Sequence, residues 1–221
     1  AVTADSPSVP RREIDEAQRI AQSFGARHKI IQTDELQDAN YAKNPANRCY
    51  FCKTELYSKL SELAKAEGVR FVANGTNVDD LGDYRPGLLA ASEYQVISPL
   101  QEAGFTKNDV RQLARLLQLE IWDKPASPCL SSRIPYGSAV TPAKLAMIEA
   151  AEDCLRSFNI RELRVRHFGD TARIEANPAD LHVIRQNLEL ISGRFKQIGF
   201  AEIDLAEFRS GALNASLISI R

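Results

Sequence analysis

The sequence predicts an α/β protein built on a parallel sheet, followed by a smaller α+β module. Three observations carry that reading. Helical and strand-like segments alternate from residue 1 to about 125, the pattern left by strands joined through crossover helices. A stretch rich in Pro, Ser and Gly (residues 122–138) then interrupts the alternation. Beyond it the order changes to helix, hairpin, helix and strand.

The chain opens on Ala1-Val2-Thr3-Ala4-Asp5-Ser6, which reads as the tail of a strand. Residues 10–24 carry Ile14, Ala17, Ile20, Ala21 and Phe24 at helical spacing. Residues 28–32 form a short β-type run. Residues 50–67 predict a helix from the stripe Leu56, Leu60, Leu63 and Ala64, stopped by Gly68. Residues 69–73 predict a second strand, leading into Asn74-Gly75-Thr76-Asn77. Parallel sheets bind ligands where their strands end, so this loop is a natural ligand position. Residues 106–119 predict a helix capped by Thr106, with Asp109 three residues on.

After the interruption, residues 141–158 predict a helix with Thr141 as cap and Pro142 in its first turn. Residues 162–167 and 171–176 predict a hairpin around Gly169-Asp170. Residues 178–198 predict one helix and residues 201–208 a last strand. The expected organisation is a first domain over 1–125, a linker over 126–140 that carries Cys129, and a second domain over 141–221.

The 221 residues are 44% hydrophobic and 26% charged, ordinary for a globular chain. A net charge of −1 gives no bulk attraction to nucleic acid or an acidic membrane. No apolar run approaches the length that spans a bilayer. Four cysteines are too few for a disulfide scaffold at this length, and their spacing predicts free thiols in a reducing, cytoplasmic setting.

Those cysteines are the most informative residues. Cys49 and Cys52 form a Cys-x-x-Cys pair at a helix start, and Cys129 stands apart in Ser127-Pro128-Cys129-Leu130. Such a pair serves as a redox dithiol, half of a zinc site or half of an iron–sulfur site, and it can also be inert. Zinc needs a fourth ligand, and His28, His167 and His182 stand in no ligand-spaced motif with the pair. Three thiolates would leave one coordination position open, and open sites do chemistry where closed ones serve structure. Cys154 sits inside a helix beside Ile148, Ala151 and Leu155 and reads as a small hydrophobe.

Other residues fit anions and metals. Gly75 suits a close ligand approach, and Asp79 or Asp80 could hold Mg²⁺ on a phosphate. Arg85 is suited to bidentate phosphate or carboxylate binding. Arg164 and Arg166 alternate on one strand and so share a face. Two guanidinium groups there suggest an anion site, and ion pairs with Glu162 or Glu175 are the plain alternative.

Six segments occur in order: Ala4-Asp5-Ser6-Pro7, Arg48-Cys49-Tyr50-Phe51-Cys52-Lys53, Asp83-Tyr84-Arg85-Pro86-Gly87, Ser131-Ser132-Arg133-Ile134-Pro135-Tyr136-Gly137, Arg164-Val165-Arg166 and Phe208-Arg209-Ser210-Gly211. Together they resemble the LarE family of ATP-dependent sulfurtransferases. The resemblance implies an adenine-nucleotide alpha-hydrolase-like (PP-loop) domain followed by a small C-terminal α+β domain. It implies a role in nickel-pincer nucleotide biosynthesis alongside the other enzymes of that cofactor. Carboxylates of pyridinium-3,5-biscarboxylic acid mononucleotide would be adenylated by ATP with Mg²⁺ and then thiolated. It further implies a 4Fe-4S cluster on Cys49, Cys52 and Cys129, a hexameric assembly, and no nucleic acid or membrane partner.

By the same resemblance Arg164 and Arg166 would hold the substrate phosphate, with Ser132 and Arg133 lining the pocket. Lys53 would polarise the acyl-adenylate, and Glu152 and Glu175 would stand near the substrate or metal. Thr3, Gly75, Asp80 and Arg85 are the nucleotide candidates. The family's Ser-Gly-Gly-x-Asp-Ser phosphate loop does not occur here, which predicts a fragment that begins near the end of the second strand. A tRNA thiolase of the same ATPase fold, or a zinc-stabilised domain without catalysis, are the rival readings.

Overall fold

The computed structural model describes residues 1–82 and 85–209. In chain order its regular elements are β1 (Val2–Asp5), α1 (Arg11–Ser23), β2 (Lys29–Gln32), α2 (Ala39–Ala42), α3 (Arg48–Ala66), α4 (Gly87–Glu93) and α5 (Pro99–Glu102). There follow α6 (Lys107–Leu116), α7 (Pro142–Arg156), β3 (Leu163–Phe168), β4 (Thr171–Ala176), α8 (Pro178–Gln186), α9 (Leu188–Ile198) and β5 (Glu202–Glu207). By contacts the chain divides into two compact units. One joins Ala1–Ala46 to the chain from Pro128 onward, and the other is Asn47–Ser127.

In the first unit β1 and β2 pair in parallel, Val2 opposite Lys29 and Asp5 opposite Gln32. Helix α1 connects them and buries Ile14 and Ala21, two turns apart on one stripe. The main core lies further on. Strands β3 and β4 form the expected antiparallel hairpin, and β5 adds to β4 in parallel. Leu155 of α7, Val165 of β3, Ile174 of β4, Ile184 of α8 and Ile191 and Phe195 of α9 are all fully buried in it. Thr141 caps α7 by accepting from the Lys144 amide at 3.3 Å. Helix α9 ends at Gly199, whose φ of 118° suits glycine, and an added Cβ there would stand 3.1 Å from Met147 Cε.

The helix expected over 178–198 is two helices. Asn187 breaks it, with ψ at 16° and its side-chain amide donating to the Val183 carbonyl at 2.9 Å. A short amide side chain competes with the backbone ladder in this way.

In the second unit α3 packs on α4, with Tyr57, Ala90 and Ala91 buried between them. Gly87 makes that approach possible, since a Cβ there would stand 2.9 Å from Lys53 Cγ. Thr106 and Asp109 cap α6 reciprocally, as their spacing predicts. The strand expected over 69–73 is not a ladder strand. Its sole bridge among the described residues pairs Ala73 with Ile97, and Val69 and Phe71 stand 51% and 59% exposed. A strand needs a neighbour along its length, and apolar content alone does not supply one. No helix of the described residues is long and apolar enough to cross a membrane.

Candidate functional site

Five of the predicted residues converge in the first unit through two buried arginine–carboxylate forks. Antiparallel pairing sets Glu175 of β4 opposite Arg164 of β3, with Arg166 one side-chain pair along. Arg166 donates from Nε and Nη2 to the two Glu175 oxygens, each at 2.9 Å. Its Nη1 donates to the Ser132 carbonyl at 3.0 Å. Arg133 forks onto Glu152 of α7, Nε to Oε1 at 2.8 Å and Nη2 to Oε2 at 3.3 Å. Glu152 is fully buried and also accepts from the Val165 amide at 3.3 Å. The guanidinium groups of Arg12 and Arg156 stand 3.7 and 3.8 Å from its Oε2.

Paired and multiply bonded, these charges satisfy the requirement that buried ions be compensated. The balance is still positive. Arg164 closes no ion pair among the described residues. Its guanidinium lies over the Phe208 ring, 4.6 Å from the centroid. Burial, and then the charges of Arg133 and Arg166, pull its pKa down. Arg156 is pulled down likewise, by burial first and by Arg12 next. A site with more guanidinium than carboxylate, and desolvated besides, favours an added anion.

Cys129 leads into a tight 3₁₀ turn, Leu130–Arg133, that is buried at Leu130, Ser131 and Arg133. Arg133 Nη1 donates to the Pro128 carbonyl at 2.7 Å, to the Cys129 carbonyl at 3.3 Å and to Ser132 Oγ at 2.9 Å. The thiol is half-buried, and no disulfide joins any of the chain's four cysteines.

Thr3 bonds His28 Nε2 at 2.9 Å beside a shallow recess of about 370 Å³ lined by Ile20 and Phe24 of the same unit. In the second unit Cys49 is exposed and Cys52 half-buried in the opening turns of α3. Lys53 Nζ lies 5.8 Å from the Tyr57 ring centroid. Asp80 accepts from the Asn77 amide at 3.0 Å and pairs with Arg85 Nη2 at 2.8 Å. Asp79 accepts from the Lys107 amide at 2.8 Å. Gly75 has open space around it, with nothing within 4 Å of an added Cβ. Asp83 and Tyr84, and Ser210 and Gly211, lie outside the described residues. Among the described residues no three His, Cys, Asp or Glu side chains gather to hold a metal ion.

No family model matches the chain. Individual relatives do. An uncharacterised protein, slr1717, of Synechocystis is 45% identical over 221 residues, covering 98% of this chain and 82% of that protein. An uncharacterised protein of Methanocaldococcus jannaschii, MJ0830, is 30% identical over 207 residues, covering 93% of this chain and 79% of its own. The pyridinium-3,5-bisthiocarboxylic acid mononucleotide synthase of Lactiplantibacillus plantarum is 38% identical over 219 residues, covering 98% of this chain and 79% of that enzyme. The chain belongs to the LarE family.

Within this LarE-family chain several further residues belong to the same assembly. Ser8, Tyr41 and Ser131 are buried together, and their hydroxyls lie 2.6, 2.7 and 3.0 Å from one another. Asn44 is fully buried with φ at 56°, and its amide donates to the carbonyls of Ile134, Pro135 and Ser138. Serines and asparagines are common in loops for local reasons, so nothing marks Ser8 or Asn44, and Ser131 stands out only as part of its quoted segment. Arg12 is one residue of an exposed-looking helix start and carries no motif of its own.

Proposed function

We propose that this chain is a sulfurtransferase that converts carboxylates of pyridinium-3,5-biscarboxylic acid mononucleotide into thiocarboxylates. Its identity to a synthase named for the thiolated product, over nearly its whole length, is the observation that carries the proposal. The positive balance around Arg164 suits the phosphate of a mononucleotide.

A carboxylate resists substitution because its oxygen leaves poorly. In the proposed reaction one carboxylate oxygen attacks the α-phosphorus of Mg²⁺-bound ATP and pyrophosphate departs. Sulfur then attacks the acyl carbon, a C–S bond forms, and the C–O bond breaks to release AMP with that oxygen. Arg164, with the field of Arg166 and Arg133 beside it, anchors the phosphate far from the reacting carbonyl. Binding energy spent there aligns the carbonyl, and alignment can supply several kcal/mol of a barrier. Ser132 sits between the two arginine forks, its hydroxyl bonded to Arg133 and its carbonyl to Arg166. Thr3, Gly75, Asp80 and Arg85 remain the proposed nucleotide contacts, and Lys53 the group that polarises the acyl-adenylate.

The sulfur is proposed to come from a cluster that the cysteines hold. Cys49, Cys52 and Cys129 would hold a 4Fe-4S cluster, which would supply the donated sulfur when bound. The described residues gather no metal-binding trio, so the cluster is assigned on the resemblance and no step is built on it. Iron and acid-labile sulfide measured after anaerobic purification decide it, and one zinc without sulfide overturns it. The reaction itself is tested by supplying the biscarboxylic mononucleotide, ATP, Mg²⁺ and sulfide to the anaerobically reconstituted protein and reading product by mass spectrometry. Exchange of carboxylate oxygen for sulfur with equimolar AMP is expected. AMP release without thiocarboxylate, or no turnover by the intact protein, sinks the proposal.

A further inference from the structure

We infer that Ser8, Tyr41, Ser131 and Arg133 form a brace that presets the Cys129 thiol, and that Tyr41 and Ser131 are positioning residues for it. The two peptide groups flanking Cys129 are each held by side chains or backbone from elsewhere. On the preceding one, the Pro128 carbonyl accepts from Arg133 Nη1 at 2.7 Å. On the following one, the Leu130 amide donates to the Ser8 carbonyl at 2.8 Å. The Cys129 carbonyl accepts from the Ser132 amide at 2.9 Å and from Arg133 Nη1 at 3.3 Å. Two fixed peptide planes fix φ and ψ of the residue between them, and so the direction of its Cα–Cβ bond. Cys129, at φ −60° and ψ 155°, is left only its χ1 rotamers.

The holders are themselves held. Arg133 is locked on the fully buried Glu152. Ser131 Oγ lies 2.6 Å from Tyr41 Oη and 3.0 Å from Ser8 Oγ, which itself lies 2.7 Å from Tyr41 Oη. The Ser8 amide donates to Ser6 Oγ at 3.1 Å, and Ser6 Oγ donates to the buried Glu35 at 2.8 Å. The brace thus ties the loop after β1, the short helix α2 and helix α7 to one cysteine. A half-buried thiol that only packed would need none of this. Preorganisation of a group that reacts is worth far more than the same order at an inert one.

The consequence for catalysis rests on the proposed function, but the brace is tested without it. Tyr41→Phe and Ser131→Ala each remove one oxygen from the hydroxyl triangle and keep the surrounding packing. Iodoacetamide labelling of the intact protein, quantified by mass spectrometry for each cysteine, reads the result. The Cys129 rate should rise about fivefold in either variant, the scale set by the net worth of a hydroxyl's hydrogen bonding. The rate at Cys154, half-buried on α7 of the same unit, should stay at the parent value. A Cys129 rate unchanged in both variants overturns the brace. So does an equal rise at Cys154, which would mean general loosening. If the parent makes thiocarboxylate, both variants should lower kcat and leave the substrate KM in place, and a rise in KM alone overturns the positioning role. If labelling behaves as expected while the parent makes none, the brace stands and the sulfurtransferase reading falls.

Discussion

Cys129 and the Cys49–Cys52 pair are the same chemical group in two different settings. Cys129 sits against a buried turn whose neighbours are charged, forked and hydroxyl-bonded. Cys49 and Cys52 ride on the opening turns of a helix, one exposed and the other half-buried; Cys52 lies within the i to i−4 ladder, and Cys49 in the first turn, whose amides have no such partner. Helical backbone beyond the first turn is held by the ladder itself. A loop is rigid only where specific side chains hold it. The difference teaches that order at Cys129 is a product of particular residues, and therefore open to mutation one oxygen at a time.

The largest test removes the thiol itself. Cys129→Ala should reduce thiocarboxylate formation to background while the mononucleotide still binds, read by product mass spectrometry and by calorimetric titration. Retained thiolation would make the braced thiol irrelevant to sulfur delivery and leave the contrast with Cys49 and Cys52 without meaning. The next largest removes the anchor beneath the brace. Glu152→Ala strips the counter-charge from Arg133, which is 2% exposed. Breaking a buried pair from one side costs about 3–5 kcal/mol, so the urea midpoint should fall steeply. A loss below about 1 kcal/mol would show that the fork behaves like a surface pair.

A third effect depends on pH. His167 follows Arg166 on β3 but has no such partner: it is 5% exposed and its Nδ1 is a buried nitrogen without a hydrogen bond. Its ring meets Phe200 edge-on at 5.4 Å. Burial, and then Lys144, hold its pKa below the usual 6.5, against a smaller upward pull from Asp170. The unfolded chain therefore binds the proton more readily than the folded one. Stability should be full above about pH 6.5 and fall as pH drops through the window down to the folded pKa. Chemical unfolding across that range in the parent and in His167→Gln checks this. A slope that survives the substitution assigns it to other groups.

What the sequence shows of this site is its charged half. Arg133, Arg164, Arg166, Glu152 and Glu175 stand out because long ionic side chains in motifs attract notice, and hairpin register brings Arg166 to Glu175. The hydroxyl half is not legible. Ser8, Tyr41 and Ser131 come from three distant stretches, and nothing local marks a serine as buried. Pro128, Pro135 and the serines between them read as loop, and the backbone there is loop with one tight turn. Composition does not reveal that such a loop is packed. Caps were legible at Thr106 and Thr141 because their partners lie within one turn. The stretch over 69–73 misled because strand pairing depends on residues far away in sequence, and the Asn187 break because one side-chain hydrogen bond decided it.

The smallest effect sharpens the contrast from the other side. Asp80 and Arg85, the ion pair among the nucleotide candidates, meet at 2.8 Å with the arginine side chain 48% exposed. Water screens such a pair and the long side chain loses entropy on forming it, so its worth is typically under about 1 kcal/mol. Asp80 also accepts from the Asn77 amide at 3.0 Å. Asp80→Asn keeps an acceptor for that amide and removes only the charge. It should move the urea midpoint little, by about 0.5 kcal/mol or less, and the shift should shrink further in high salt. A salt-independent loss rivalling that of Glu152→Ala would mean that the turn after Asn77 is braced as tightly as Cys129, and that exposure is a poor guide to which polar contacts hold this protein in shape.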